Sequence, residues 1–384
     1  MSMWSPGPSP TIRKPEALET GDRTGVRNRR LISPTMPGMD IVELRSDTFT
    51  RPTREMLAAM ADAELGDDVW GEDPTAISLQ EHCADLAGKE AGLFVPSGTM
   101  GNETALKALT QPGDDVIVES RSHVVLYEHG APGVISGVVL RLIESPSGRL
   151  PVERVREIFD SANEHTSRPS LVWQENTHNA SGGRVIPLDH VRAVANLAHE
   201  HGARAFMDGA RIFNASVATG IPVRTYAAEV DALSFCFSKG LGAPVGSMLL
   251  GTREMIDRAR VVRQMLGGGM RQVGLLCAAA RVAVDTMVDR LADDHDNAQR
   301  LARGLADAAP GSVDPGAVET NMVYIDTGDR DPEAIVRSMW DEGVRVASLG
   351  PSRIRAVTSK EVDRAGIDRT IAAFARAVQA VAVA

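Results

Sequence analysis

The chain of 384 residues contains only three cysteines, Cys83, Cys236 and Cys277. They form no CxxC and no paired framework, so a disulfide scaffold is excluded and a reducing, cytoplasmic compartment is expected. Cys236 falls inside an apolar run and reads as an inert core residue. No stretch approaches the roughly 18 apolar residues of a membrane span. Basic residues are scattered through a chain of net charge −10. Their one cluster, Arg27-Asn28-Arg29-Arg30, lies near the N-terminus, so neither nucleic acid nor an anionic membrane is an expected partner. The opening MSMWSPGPSPTIRKPEA has no apolar segment, so no secretory signal is expected. Internal repeats are absent too.

What is present is an ordinary globular body, 43% hydrophobic and 24% charged. Residues 1–40 hold six of the 21 prolines and no periodicity, and read as a disordered N-terminal extension. Beyond them, strand-like runs alternate with helical patterns: LFV before GTMGNETALKAL, then DDVIVE, LVWQENTH, PLDHVRAVANLAHEHG, ARAFMD, DALSFCF and VGSMLLG. That alternation predicts an α/β fold whose large domain, residues 41–290, has a mainly parallel sheet. VETNMVYID, PEAIVRSMWDEG, SRIRAVT and the C-terminal helical pattern predict a small α+β domain over 291–384. A long helix around 271–308 links the two.

Three features fall at the C-terminal ends of predicted sheet strands, where open α/β sheets bind ligands. Pro96-Ser97-Gly98-Thr99 can cradle a phosphate on the following helix N-terminus, although no GK[ST] marks a Walker loop. Asp208 ends the run ARAFM, where a bare carboxylate needs a partner. Lys239 follows the run SFCFS, where an unpaired buried amine would become nucleophilic. Each alone has a plain alternative: a capped turn, an ion pair of Asp208 with Arg211, a lysine reaching solvent. Together they supply what pyridoxal phosphate requires, namely an amine, a carboxylate for the pyridine nitrogen and helix N–H groups for the phosphate. Opposite charges about 4 Å apart interact by about 4 kcal/mol at an effective dielectric near 20, enough to hold that nitrogen protonated.

The segments ELRSDTFTRPT, GDDVWGEDPT, FVPSGTMGN, ENTH, DGARIFNA, SFCFSKGLGAPVGS and LGGGMRQVG resemble the signatures of the low-specificity L-threonine aldolases, from about Ile41 to about Val357. These are β-eliminating lyases of fold type I, with pyridoxal phosphate as cofactor. The resemblance implies that Lys239 is the Schiff-base lysine and Asp208 the partner of the pyridine nitrogen. Gly98 and Thr99 match the phosphate turn. His123 matches the histidine that stacks on the cofactor and faces the substrate hydroxyl. Ser46, Arg211 and Arg355 match the substrate-carboxylate clamp, and Arg271 an arginine offered near the phosphate across a subunit interface. His165 sits at the spacing of a second histidine near the substrate; by its surroundings it reads as a surface residue. A homotetramer or homodimer with shared sites is implied, and a small amino acid as the substrate; no metal is.

Three positions depart from the family pattern. Trp70 stands where tyrosine is usual, Ser359 where histidine is usual, and Gly130-Ala131 where a glycine pair is usual. The implied reaction is reversible cleavage of L-threonine, L-allo-threonine and related L-β-hydroxy-α-amino acids to glycine and an aldehyde. The alternatives are β-elimination or dehydration of a hydroxy amino acid by the same groups, and a non-catalytic protein on an inherited scaffold.

Overall fold

The structure is a computed structural model and describes residues 40–381. The expected extension over 1–40 therefore lies, but for Asp40, outside the described residues. Strand β1 (Val42–Glu43) is followed by β2 (Ala91–Val95), β3 (Asp115–Glu119), β4 (Val139–Ile143), β5 (Pro169–Glu175), β6 (Arg204–Asp208), β7 (Ala232–Cys236) and β8 (Ser247–Gly251). The last seven of these form one sheet in the order β2-β8-β7-β6-β5-β3-β4, in which only β8 runs against its neighbours. This is the expected mainly parallel sheet. Strands β3, β5, β7 and β8 are buried along their whole length, because helices cover both faces, and so they read as mostly apolar runs without alternation. Strand β4 was not anticipated. It lies at the sheet edge with Val139 and Leu142 exposed, and its sequence VLRLI carries neither a buried run nor a clean alternation.

Towards the C-terminus come β9 (Met322–Asp326), β10 (Val344–Arg345), β11 (Ala347–Ser348) and β12 (Arg353–Val357). An antiparallel sheet of order β11-β12-β9 packs on the helices Leu291–Ala308 and Arg364–Ala380. Its core also takes Val42 and Leu44, because β1 pairs in parallel with β10. The start of the described chain thus joins the C-terminal module, which the contiguous expectation over 291–384 omitted.

The expected long helix is two, Gly274–Thr286 and Leu291–Ala308. No glycine or proline marks the break at Met287–Arg290. Tertiary contacts account for it: Arg290 reaches the carbonyl of Gly240 at 3.5 Å and pairs with Asp294. Leu291 packs so close that a Cβ on Gly240 would lie 2.8 Å from its Cδ2. The break therefore seats the second helix against the loop that carries Lys239.

Because the parallel strands share one direction, the residues that follow β2, β3, β5, β6 and β7 gather along one edge of the sheet.

Candidate active site

The turn after β2 starts the helix Gly98–Leu109. Ser97 caps it by accepting from the Met100 N–H at 3.2 Å, which leaves the N–H groups of Gly98 and Thr99 without an intrahelical acceptor. Glycine is required at 98: a Cβ there would stand 2.9 Å from Cys236 Sγ. Cys236 is buried as expected, yet it also lines the cavity and accepts from Ser247 Oγ at 3.2 Å.

Asp208 ends β6 and is buried. Its Oδ2 accepts from Asn102 Nδ2 at 2.8 Å and its Oδ1 from the Ala210 N–H at 3.1 Å. The residue-level alternative of an ion pair with Arg211 is not what forms. Arg211 is instead held in a two-point pair by Asp47, Nε to Oδ2 at 2.8 Å and Nη2 to Oδ1 at 2.6 Å. Burial would push the Asp47 carboxyl up, but Arg211, Lys239 and Asn321 together hold it below the usual carboxylate range.

Lys239 is half-buried rather than sealed in the core. Its carbonyl accepts from Thr50 Oγ1 at 2.8 Å and from the Gly242 N–H at 2.9 Å, which fixes the backbone at the root of the side chain. Among the described residues its amine forms no ion pair or hydrogen bond. The loop closes at Gly246, whose φ of 107° and contact with the Phe94 ring, 2.5 Å from a would-be Cβ, admit only glycine.

His123, after β3, donates its backbone N–H to Glu175 Oε2 at 2.6 Å, and its Nδ1 lies 2.8 Å from Glu128 Oε1. Burial pulls the imidazole pKa down. The Glu128 bond and the charges of Asp208 and Glu128 outweigh burial, so the net shift is upward, with Lys239 opposing.

These groups share a cavity of about 130 Å³ lined by Gly98, Thr99, His123, Asp208, Arg211 and Lys239 among others. A larger cleft of about 600 Å³, lined by Arg121, Ser181, Asp314, Tyr324 and Arg353, holds no nucleophile or base from this set. Chemistry, not volume, selects the smaller one.

The remaining expected residues divide. Ser46 adjoins Asp47 and caps the short turn Asp47–Phe49, accepting from the Thr48 N–H at 3.2 Å. Arg355 touches the rim through Asn179, at 3.5 Å, and the Arg45 carbonyl, at 3.1 Å. It has no acidic partner among the described residues, and its Nε is buried without an acceptor. Burial first, then Arg211, lowers its pKa. Two guanidiniums facing one internal carboxylate leave room for an anion. Arg271 and His165 are not brought to the cavity. Arg271 is exposed and pairs with Asp67 at 3.0 Å. His165 lies on an exposed loop, its side chain 85% accessible.

Asp47, Asn102, Glu128 and Glu175 join the site without standing among the residues expected from the sequence. All but Glu128 lie within or beside the motifs RSDT, SGTMGN and ENTH, yet their partners come from distant parts of the chain. Of the departures, Trp70 is 75% exposed and outside the cavity, whereas Ser359 is buried with its Oγ accepting from the Glu361 N–H at 3.4 Å. Gly130 takes φ 75°, and a widened π-helical turn follows over Pro132–Ser136.

A family model described as β-eliminating lyase matches residues 43–328. The chain belongs to the β-eliminating lyase family. Among members of known name, a probable low-specificity L-threonine aldolase of Arabidopsis thaliana is 42% identical over 90% of this chain and 98% of its own length. The low specificity L-threonine aldolase of Escherichia coli is 39% identical over 84% of this chain and 95% of its own. A threonine aldolase structure from Leishmania major superposes with a TM-score of 0.76 over 87% of this chain and 98% of that one, at 20% identity, which speaks to the fold alone. This β-eliminating lyase has the donor set that pyridoxal phosphate needs: free helix N–H groups at a glycine, an unpaired amine, and a buried carboxylate with hydrogen bonds on both oxygens.

Proposed function

We propose that the protein cleaves L-threonine, L-allo-threonine and related L-β-hydroxy-α-amino acids reversibly to glycine and an aldehyde, with pyridoxal phosphate as cofactor. The observation that carries this reading is the Lys239 amine, in no ion pair or hydrogen bond among the described residues, in one cavity with Asp208, His123 and Arg211. Lys239 would hold the cofactor through its aldehyde, Asp208 would face its ring nitrogen, and the Gly98 and Thr99 N–H groups would receive its phosphate. Bound there, the cofactor supplies an electron sink for the bond broken at the substrate Cα. Arg355, with its orphaned Nε, and the outer N–H groups of Arg211 take the substrate carboxylate, helped by Ser46. His123 takes the β-hydroxyl proton, directly or through one water, and its hydrogen bond with Glu128 makes it a stronger base. Glu128 and Glu175 fix the imidazole at both its ring and its backbone.

Three further assignments accompany this reading. A second copy of the chain packs on the face that carries Trp70, Met265 and Arg271, giving a homotetramer or homodimer in which Arg271 serves a neighbouring site. The compartment is cytoplasmic; among the described residues no helix is long and apolar enough to cross a membrane. The chain divides into a large cofactor-binding domain over 41–290 and a small one over 291–384, with β1 attached to the latter.

The test is an absorbance spectrum of the purified protein with pyridoxal phosphate, before and after L-threonine, with aldehyde and glycine assayed in parallel. A visible band, aldehyde and glycine are expected, and Lys239→Ala should lose all three. A keto acid and ammonia in place of aldehyde would move the reaction to β-elimination. Absence of any band would overturn the reading.

A further inference from the structure

The carboxylate behind His123 is not alone. Glu128 Oε1 is saturated: it accepts from Asn102 Nδ2 at 2.7 Å and meets His123 Nδ1 at 2.8 Å. Its other oxygen, Oε2, is buried with no partner among the described residues. Glu103, next to Asn102 on the helix Gly98–Leu109, is 2% exposed, and both of its carboxyl oxygens are likewise buried with no partner. Three orphaned carboxyl oxygens on two adjoining buried groups would be costly with both groups ionised. One proton between the two groups pairs two of the three oxygens and removes one of the two charges, since a protonated carboxyl is a donor and the facing carboxylate an acceptor.

We infer that Glu103 is held as a neutral acid, donates its proton to Glu128 Oε2, and through this acid–carboxylate pair positions and sets the charge facing His123. Glu103 is thus a positioning residue, one step removed from the reacting groups.

The surroundings agree. Lys107, one turn along the same helix, is diverted to the carbonyl of Ile135 at 2.7 Å and does not neutralise Glu103. Around the pair stand His123, bonded to Glu128, Asp208 on β6, bonded to Asn102, and Glu175 on β5, which accepts from the His123 N–H. The Lys239 charge opposes these carboxylates at His123. Asn102 ties the set together, with one amide group donating to both Glu128 and Asp208. Burial first, and the Glu128 charge and hydrogen bond second, push Glu103 up to about 8. A single proton therefore stays on the pair at neutral pH, and Glu128 presents one negative charge to the imidazole.

The consequence for catalysis rests on the role proposed above for His123; the shared proton does not. Infrared difference spectra of wild-type holoenzyme against Glu103→Gln test the proton directly, without turnover. A protonated-carboxyl carbonyl band is expected in wild type near neutral pH, absent from Glu103→Gln, and fading in wild type above about pH 8. A neutral-pH spectrum with no such band overturns the inference.

Stability gives a second readout with a definite sign. A carboxyl whose folded pKa is raised from 4.5 to about 8 loses stabilisation as pH climbs through that window. Glu103→Gln keeps the donor and never ionises, so its melting temperature should gain on wild type from about pH 5 to about pH 8. A gap that is flat with pH overturns the proposal. For the link to His123, Glu103→Met, which cannot donate, should move the acid limb of kcat/KM upward in pH, and Glu103→Gln should restore it. An acid limb unchanged in Glu103→Met overturns that link.

Discussion

Asp47 and Arg211 form one buried pair on which stability and, in the proposed reading, substrate recognition both depend. Asp47 is fully buried, and its two oxygens take two N–H groups of Arg211, while Asn321 adds a third contact at 3.2 Å. Removing one partner of such a pair leaves an uncompensated charge, a loss of about 3–5 kcal/mol. Asp47→Ala should therefore lower the melting temperature sharply and raise KM for the amino acid, because Arg211 would lose its fixed orientation. The pH dependence follows from the direction of the shift. The Asp47 carboxyl is held below its ordinary value, so its contribution is complete above about pH 4 and is lost as pH falls through the lower, folded value. The stability difference between wild type and Asp47→Asn should be level from neutral pH down to about pH 5 and close only in stronger acid. Thermal melts across that range check it, and a difference that closes at neutral pH would remove Asp47 as the cause.

At the scale of single elements, the helix Gly98–Leu109 has its start determined twice. Ser97 ends the strand-to-helix turn by capping, a local device visible in SGTMGN, and Gly98 lets the helix end approach Cys236. The cap was legible in the sequence because it acts across three residues. The approach to Cys236 was not, since β2 and β7 meet only through β8 between them. Gly98→Ala should displace the free N–H groups and weaken cofactor binding, with a stability loss of roughly 1–3 kcal/mol, the usual penalty for overpacking. Adding Cys236→Ala should recover much of that loss. Cofactor titration of the two variants measures it, and an unrescued double variant would point to backbone conformation rather than the sulfur. The helix break at Met287–Arg290 follows the same logic in reverse: its cause is contact with Gly240, so no breaker residue announces it.

For the molecule as a whole, the informative feature is an exposed apolar set. Leu65, Trp70, Val261 and Met265 are between 45% and 75% exposed, and the two stretches that carry them are joined by Asp68–Arg263 at 2.6 Å and Asp67–Arg271 at 3.0 Å. Exposed apolar side chains on two linked stretches are the surface on which the proposed oligomer would close. Sedimentation analysis should find an oligomer, and Trp70→Glu with Met265→Glu should shift it toward monomer with loss of turnover. Wild-type protein that sediments as a fully active monomer would remove both the interface and the proposed role of Arg271.

Most of the strand and helix order, the parallel sheet, and the positions of Gly98, Asp208 and Lys239 at strand ends were determined by sequence alone, β4 and the split helix excepted. They rest on local rules: apolar runs, capping residues and glycine turns act over a few neighbours, and the family motifs carry the site residues in order. Tertiary structure decided what lies between them. It pairs Arg211 with Asp47 from 164 positions away, carries β1 to the C-terminal module, splits a helix with no breaker and sets Glu103 behind Glu128. Each depends on which surfaces meet when the sheet and its helices close, and on charges that must find partners once water is gone. Local pattern has no access to that information.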